Sequence, residues 1–599
     1  MEEERKDTIV GIFQKNKNFG FVVPDNKSFE TDIYIAKKDF GKARNNHKVV
    51  VKITKYPSKG KNAEGKVIEV IGDVNQAGVD MLSLIKEYSL PAEFSKEVVN
   101  EAKTKGDVIN TRHLKNRVDL RGQEIFTIDG EDAKDLDDAI RVQKLENGNY
   151  MLDVHIADVS HYVPQDSLLD KEAYIRGTSI YMLGRVIPML PRELSNGICS
   201  LNAGQDRFTL SCSMEINPKG EVIDSKVYKG VINVTERMNY TDVQKILDKS
   251  DKRVLKKYEK YIKHFELMSE LATILKNKRL EKGYLNLDIP ESKIELDING
   301  YAINVSKYET TFSNEIIEQF MLTANETIAE KFYWLEAPFI YRVHEEPDLD
   351  KIKELNQFLS NLNLKIKTSG EKIHPKAFAQ VLEKIKGKPE EKVVSNLVLR
   401  TLKLARYEAE NKGHFGIASK YYCHFTSPIR RYPDLFIHRV ISEYLKNNYD
   451  VSEEFKEKYN NLATDSATNS SEREKIATKV ERDAEKIKKA EYMENHIGEV
   501  YEGVVSGVTS FGMFVELENT IEGLISFEDI GSQDYFVYDE ERKILIGEHT
   551  KKIYKIGDKV TIRVKYASKL LRYIDFEIYN EKEIDNEEMQ EPDNSVKHE

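Results

Sequence analysis

Acidic residues crowd into the window 127–138, which reads TIDGEDAKDLDD. The carboxylates that could share one ligand are those of Asp129, Asp135, Asp137 and Asp138. Like charges in a short loop repel one another, which raises the pKa values of their carboxyl groups unless a cation compensates. Carboxylate oxygens suit magnesium or manganese, and no His or Cys stands nearby to favour zinc. The window therefore predicts a divalent metal site, with Mg²⁺ as the expected ion and Mn²⁺ as its alternative.

Two predicted strands, 123–129 and 139–143, would hold this acidic loop at its two ends. The spacing does not fit the calcium loop of an EF-hand, which needs a glycine at its sixth position and a later glutamate. The other interpretation is an acidic surface loop that caps a helix and binds nothing, which is common for acidic windows. The residues alone leave both interpretations open.

The chain has 599 residues, which predicts roughly three to five domains. Hydrophobic residues make up 40% and charged residues 32%, so the domains have enough apolar material to fold. No apolar run approaches the roughly 18 residues that span a bilayer, so we expect no membrane association and a cytoplasmic protein. The three cysteines, at positions 199, 212 and 423, show no CxxC spacing and predict neither disulfides nor a zinc site.

The net charge of −11 argues mildly against a nucleic-acid partner, because phosphate binding depends on Lys and Arg. Net charge averages over domains, however, and carboxylates gathered around a metal add to the negative total. A basic channel can therefore coexist with acidic outer surfaces.

The N-terminal segment 8–72 shows short strands separated by Gly, Pro and Asn turns, a pattern typical of a small β-barrel. Phe19, Phe21 and Tyr34 lie on two of these strands. Aromatic side chains on an exposed strand face can stack on bases, at roughly 1 to 3 kcal/mol each. They could equally fill a core. The FGF and DIYI strings resemble a cold-shock domain, and that resemblance favours RNA stacking.

A helical connection is predicted for 74–117, followed by one large α+β domain whose helical stretches fall at 241–278, 314–332, 348–411 and 433–495. A second β unit is predicted from residue 498 to about 579. Phe511 and Phe514 would supply its aromatic face, and the string SFGMFVE resembles an S-one-type RNA-binding OB fold. The last segment, 581–599, is acidic and predicted to be a solvated, disordered tail.

The acidic window closely resembles the active-site motif of the RNB family of exoribonucleases. Three further segments resemble that family, in the family's order. They are HIADVSHYV at 155–163, RGTSIYMLGRVIPMLP at 176–191, and the stretch from His414 through TSPIRRYPD at 426–434 to His438. The resemblance covers nearly the whole chain, because the family also flanks its catalytic domain with cold-shock and S-one-type barrels. Within the family it is nearer to ribonuclease R than to ribonuclease II.

The resemblance implies a role for each motif residue. Asp129, Asp135 and Asp138 would hold the metal, and Asp137 would be the aspartate most essential for cleavage. Arg430 would grip the phosphate, with Arg431 as its competitor for that role. Glu481 would lie near the scissile nucleotide on a helix, and Tyr181 would stack on the 3′-terminal base. Each has a plainer alternative: a salt bridge for the arginines, a solvated position for the glutamate and a core position for the tyrosine.

The chain also departs from the family's pattern. No Phe occurs on the predicted strand 283–288, where the family often has a second stacking phenylalanine, and Leu287 would take that place. Larger relatives carry a helix-turn-helix and two cold-shock domains, whereas we find one, most similar to the second, so that the chain is expected to be either a shortened form or one that lost that region. The acidic tail differs from the lysine-rich end of many relatives.

The sequence thus predicts small OB-fold barrels of cold-shock and S-one type flanking a large α+β RNB catalytic domain. The predicted boundaries are 1–73, 74–117, 118–495, 496–580 and 581–599. The expected activity is processive 3′→5′ hydrolysis of single-stranded RNA with a free 3′ end, by a monomer. Two alternatives remain: a catalytically silent RNA-binding regulator on the same fold, and a transferase that holds a nucleotide-sugar metal ion through Asp135 and Asp137.

Overall fold

The computed structural model describes residues 7–579, except 26–28, 30, 59–61, 288–290, 361, 369, 371, 389, 531–533 and 541. The tail predicted at 581–599 lies outside the described residues.

The N-terminal segment folds into a closed five-stranded barrel. Its strands are β1 (Thr8–Lys15), β2 (Phe19–Pro24), β3 (Ile33–Ala36), β4 (His47–Lys55) and β5 (Glu64–Asp73). The strand order around the barrel is β1-β2-β3-β5-β4. Alternate residues such as Phe13, Val22 and Ile33 fill the interior, as period-two patterning requires.

Two short helices connect this barrel to the rest of the chain: α1 (Val79–Glu87) and α2 (Lys96–Lys103). Ser95 begins α2 as a cap, since its side chain accepts a hydrogen bond from the N–H of Val98. The helical connection predicted from the sequence is therefore present.

A mixed seven-stranded sheet forms the centre of the next domain, in the order β14-β7-β8-β9-β12-β13-β6. The strands are β6 (Val118–Asp119), β7 (Phe126–Asp129), β8 (Asp138–Lys144), β9 (Tyr150–Ala157), β12 (Asp206–Ile216), β13 (Val222–Asn233) and β14 (Glu236–Asn239), with a separate hairpin of β10 (Ile180–Met182) and β11 (Arg185–Ile187). Two hydrophobic clusters cover the sheet, one containing Leu152 and Phe320, the other Ala139 and Phe208.

Helices surround this sheet and account for most of its hydrophobic cover. They are α3 (Val159–Tyr162), α4 (Leu168–Arg176), α5 (Tyr240–Asp248), α6 (Lys252–Lys257), α7 (Ile262–Lys282), α8 (Phe312–Trp334), α9 (Leu349–Ser360), α10 (Pro375–Ile385), α11 (Glu391–Thr401), α12 (Tyr432–Lys446) and α13 (Glu453–Glu494). Two further hairpins occur, β15 (Ser292–Leu296) with β16 (Ala302–Lys307), and β17 (Tyr341–Val343) with β18 (Arg406–Glu408).

Three local predictions need correction. The single helix expected at 241–278 is broken after Asp248, because Lys249 adopts a left-handed φ of 56° and Asp251 caps a new helix. The end of the 348–411 stretch contains strand β18, which pairs with a strand far away in the sequence. Residues 284–287 form no strand, and Leu287 packs against the hydrophobic cluster of α9 to α11.

The C-terminal domain is a second closed barrel with a small inserted sheet. Its elements are β19 (Val500–Thr509), β20 (Gly512–Leu517), β21 (Glu522–Ser526), α14 (Phe527–Ile530), β22 (Phe536–Asp539), β23 (Ile544–Gly547), β24 (Ile553–Lys555), β25 (Lys559–Ser568) and β26 (Tyr573–Ile578). The barrel order is β19-β20-β21-β26-β25, and β22 to β24 form the insertion. Gly512 is required in β20, because a Cβ there would lie 2.2 Å from the Ile525 carbonyl oxygen.

Helix α13 joins the three domains. Asp483, on α13, accepts hydrogen bonds from the Tyr88 hydroxyl beyond α1 and from Arg572 at the start of β26, both at 2.8 Å. Lys488, one turn further along α13, pairs with Asp80 of α1 at 2.6 Å. The connection that follows the first barrel and the second barrel are therefore fixed to the same helix.

Candidate active site

Hydrogen bonds from neighbouring side chains fix the backbone of the acidic loop between β7 and β8. The Arg237 guanidinium donates to the carbonyl oxygens of Glu131 and Ala133, at 2.8 and 2.6 Å. The buried Ser200 hydroxyl accepts from the Leu136 N–H and donates to the Lys134 carbonyl, at 3.1 and 2.9 Å. These hydrogen bonds stabilise the loop against the mutual repulsion of its charged side chains.

Asp137 is the most buried carboxylate of the loop, at 4% exposure. Its Oδ1 accepts a 2.8 Å hydrogen bond from the Ile429 N–H, and its Oδ2 lies 3.7 Å from Arg430 Nε. Oδ2 is buried and has no hydrogen-bond partner in the described part of the chain. Burial, opposed by Arg430 and Ile429 and reinforced by Asp135 and Asp138, raises the pKa of Asp137 well above its ordinary value.

The other two aspartates that flank the loop share this environment. Burial and the neighbouring charge of Asp129 raise the pKa of Asp138 to about 7, although Arg430 opposes the shift. Burial also raises the pKa of Asp129, against the Gly130 N–H and the Arg430 guanidinium. The carboxylates therefore lie close enough to repel one another, as the sequence predicts.

The segment before α12 supplies the facing cation. The side chain of Arg430 is 44% exposed and donates to Ser427 Oγ at 3.1 Å, whereas that of Arg431 is 18% exposed and pairs with the buried Asp434 at 2.7 Å. Asp434 also accepts from the Ser427 N–H at 2.8 Å, which fixes the turn. Of the two competing arginines, Arg430 faces the acidic loop and Arg431 is part of the support beneath it.

Hairpin β10–β11 brings Tyr181 to the same place. The Tyr181 hydroxyl donates to Asp135 Oδ2 at 2.7 Å, and the Tyr181 N–H donates to Glu481 Oε1 at 2.8 Å. The tyrosine is 41% exposed, so it is not a core residue and part of its ring is available for stacking. Burial raises the pKa of Glu481, with the Tyr181 N–H and Arg430 acting against the shift.

The site thus brings together the acidic loop, the turn before α12, the β10–β11 hairpin and helix α13. The predicted site residues that meet here are Asp129, Asp135, Asp137, Asp138, Tyr181, Arg430 and Glu481. The predicted barrel aromatics are on other domains. Phe19 and Tyr34 stack at 6.0 Å between ring centroids on the outer face of the first barrel, and Phe511 is 55% exposed on the second.

Sequence reasoning missed several residues of the site. Tyr240 begins α5, and burial together with the charges of Asp129 and Asp138 raises its pKa. Asn239 pairs in register with Asp129 because β14 runs parallel to β7. The Ile429 N–H and Ser200 were missed too. The sequence does contain a helix-start signal at Asn239. It does not show the long-range strand pairing that places Tyr240 beside the aspartates.

The donor set fits a hard divalent cation. Oxygen donors crowd the loop, one buried carboxylate oxygen accepts no hydrogen bond in the described part of the chain, and burial together with neighbouring carboxylates raises the pKa values of Asp137 and Asp138. Within the described residues, no three or more His, Cys, Asp or Glu side chains are already gathered in an arrangement that could hold a metal ion.

The fold and this site are those of a ribonuclease of the RNB type. Family models match the RNB domain at residues 117–447, the cold shock domain at 21–95 and the S1 RNA binding domain at 494–578. The RNB match spans more than half of the sequence, and the chain belongs to the RNB family. None of the helices in the described part of the chain has the length and apolar character needed to cross a membrane.

Known proteins are similar to this chain over most of their length. Ribonuclease R of Thermotoga maritima is 45% identical over 579 residues, which cover 96% of this chain and 81% of that protein. The structure of Mycoplasma genitalium RNase R in complex with ribose methylated single-stranded RNA matches with a TM-score of 0.89 and 28% identity, covering 96% of this chain and 90% of that one. The complex of RNase R from the same organism with double-stranded RNA matches with a TM-score of 0.85, 25% identity and coverages of 97% and 96%.

Proposed function

We propose that the chain is a processive, magnesium-dependent 3′→5′ exoribonuclease that hydrolyses single-stranded RNA to nucleoside 5′-monophosphates. The observation that carries the proposal is Asp137, buried between the Ile429 N–H and Arg430, with one oxygen that accepts no hydrogen bond from any described residue. A buried carboxylate is costly, and a structural role would normally satisfy both of its oxygens. The high identity to proteins named Ribonuclease R supports the same activity.

Asp129, Asp135 and Asp138 are the side chains that would hold Mg²⁺ or, as the alternative, Mn²⁺, beside Asp137. When bound, the metal would lower the pKa of a water towards about 7 and neutralise phosphate oxygens. The remaining roles belong to the protein. Asp137 orients the nucleophile, and its hydrogen bond from Ile429 fixes the direction of its free oxygen.

Arg430 grips the scissile phosphate. Its guanidinium is half-exposed and presents a planar fork of donors beside the acidic loop, which suits two phosphate oxygens and the charge that develops on them. Glu481, whose pKa burial raises, is placed to hold or release a proton near the leaving group. Tyr181 stacks on the terminal base and so sets how far the 3′ end enters.

The two barrels guide RNA to this site. Phe19, Phe21 and Tyr34 on the first barrel, with Phe511 and Phe514 on the second, offer stacking faces for successive bases. Since a related RNase R has been solved in complex with double-stranded RNA, we propose structured RNA as a second class of ligand for this chain. We expect a monomer that acts in the cytosol in RNA turnover and quality control, with the domain boundaries given by the sequence.

One assay tests the proposal. The purified chain is incubated with 5′-labelled single-stranded RNA and Mg²⁺, with and without a chelator. Stepwise shortening that stops in chelator supports the proposal. Retention of RNA without shortening indicates a silent RNA-binding regulator, and no affinity for RNA indicates the transferase alternative. Calorimetry adds a readout independent of activity: uptake of Mg²⁺ is expected for the native chain and should vanish when Asp129→Asn is combined with Asp137→Asn.

A further inference from the structure

An exposed aromatic cluster lies at the end of helix α8, on residues that the catalytic site does not use. Trp334 is the last residue of α8 and is 69% exposed. Its ring lies 5.4 Å from that of Tyr333 and 6.2 Å from that of Tyr421, and the two tyrosine rings are 4.6 Å apart. We call these three residues the Trp334 platform. Large aromatic rings that group together in solvent commonly mark a binding surface.

The platform stands at the edge of a wide cleft. Tyr421 lines a cavity of about 1110 Å³ between the β12–β13 turn, the end of α7, one side of α8 and residues 374–376 and 418–421. That volume exceeds the roughly 300 to 1,000 Å³ usual for a small-molecule pocket. A cleft of this size beside a stacking surface fits a stretch of polymer better than a single small ligand.

The charge of the cleft differs in sign from that of the chain. Six Lys and Arg side chains line it against five Asp and Glu, whereas the whole chain has a net charge of −11. Arg279 is already paired with Glu326 at 2.8 Å. None of the five lining lysines forms an ion pair within the part of the chain that the structure describes. Lys278 donates to the Gly220 carbonyl at 2.8 Å, and the other four could neutralise phosphates: Lys282, Lys331, Lys376 and Lys420.

We propose that the Trp334 platform and this cleft form a second binding site for single-stranded RNA, separate in its residues from the catalytic site. Bases would stack on the rings, at roughly 1 to 3 kcal/mol each. Lysines in the cleft would bind the phosphates and release counterions. The inference rests on the proposed function only in taking RNA as the ligand. RNA is favoured over a protein partner because the cleft beside the rings is lined by five lysines that form no ion pair in the described residues and by only four aliphatic side chains, Val222, Ile223, Leu275 and Ala418.

The test uses the fact that Trp334 is the only tryptophan in the chain. Its emission is recorded on the full-length protein while a short 2′-O-methyl oligoadenylate, which resists hydrolysis, is added in chelator. Anisotropy of the same oligonucleotide, labelled, reports total binding. We expect saturable quenching of the emission. Unchanged emission at concentrations that saturate the anisotropy would overturn the proposal, and so would emission that changes with protein concentration alone, which indicates contact between copies.

Variants separate stacking at the platform from an indirect effect of RNA bound elsewhere. Tyr421→Ala keeps Trp334 but removes a partner ring, and should weaken the quenching several-fold. Lys376→Ala with Lys420→Ala should lower the slope of log affinity against log salt by about 0.7 per lysine. Tyr535→Ala removes a 67% exposed ring in the inserted sheet and should change neither readout. Unaltered quenching in Tyr421→Ala, together with an unaltered salt slope in the double lysine variant, would also refute the site.

Hydrolysis of a short labelled RNA is measured in parallel. Trp334→Phe should retain it, because the platform lies outside the catalytic machinery. A native chain that quenches without hydrolysing contradicts the proposed function and leaves the second site standing. A native chain that hydrolyses RNA without quenching supports the proposed function and refutes the second site.

Discussion

The backbone N–H of Tyr181 donates a 2.8 Å hydrogen bond to Glu481 Oε1, across 300 residues of sequence. The same tyrosine reaches Asp135 through its hydroxyl at 2.7 Å. One residue therefore links the hairpin, the acidic loop and helix α13. The backbone bond does not depend on the side chain at position 181, so substitutions there probe the ring and the hydroxyl separately.

Tyr181→Ala should change the length of the last undigested RNA fragment, because the ring that stacks on the terminal base is lost. Tyr181→Phe is the matched control. It keeps the ring and removes only the bond to Asp135, so its fragment should have the native length. Gel analysis of 5′-labelled RNA after complete digestion gives both lengths. Identical end products for the native chain and the Ala variant would contradict the stacking role.

Asp137→Asn should reduce kcat by at least about 100-fold, equivalent to about 2.7 kcal/mol, while RNA affinity stays within about twofold. The fold should persist or gain stability, since the amide oxygen can still accept from Ile429 and a buried like charge is removed. Asp132→Asn alters an exposed acid of the same loop and should leave kcat unchanged. Single-turnover hydrolysis and thermal unfolding are measured on both variants. An equal loss of kcat in the two would argue against a special role for Asp137.

Arg430→Gln and Arg431→Gln make the same change at neighbouring positions with opposite expected results. The first should lower kcat by roughly 100-fold and stability by less than about 0.5 kcal/mol, because Arg430 is half-exposed and faces the site. The second should cost about 3 kcal/mol, because it leaves the buried Asp434 without its cation. Kinetics and denaturant unfolding measured on both variants test the assignment. Reversed results would make Arg431 the phosphate ligand.

Stability should fall as the pH drops from about 6.5 towards 4. Burial lowers the pKa of His155 to about 4, so the folded state stays neutral where the unfolded chain already binds a proton. Acidification therefore stabilises the unfolded state. The full loss of unfolding free energy is on the order of 3 kcal/mol, and no loss is expected above pH 7. Hydrogen exchange of the β9 and β12 amides against pH measures it. His161 and His438, whose pKa values burial also lowers to about 4, contribute in the same direction. His155→Gln should therefore reduce the slope, and the exposed His549→Gln should leave it unchanged; an unchanged slope in the first variant would exclude a contribution from His155.

Local patterns predicted the domain order and the acidic loop. Alternating apolar residues around Phe21 define a barrel strand, and the clustered aspartates define a charged turn between strands. What places Tyr240 beside Asp129 is the parallel pairing of β14 with β7, and what separates Arg430 from Arg431 is the burial of Asp434. Both placements depend on contacts between residues distant in sequence. The local spacing of apolar and polar residues carries no information about such contacts. The inserted sheet β22–β24 was missed because its strands have only three or four residues.

Helix α13 runs unbroken for 42 residues, about 63 Å, with Glu481 and Asp483 separated by a single residue on it. Arg572 of the second barrel donates to Asp483, so tension on RNA held by that barrel would reach the reaction centre as a mechanical load. Pulling on the nucleic acid should slow turnover by displacing Glu481.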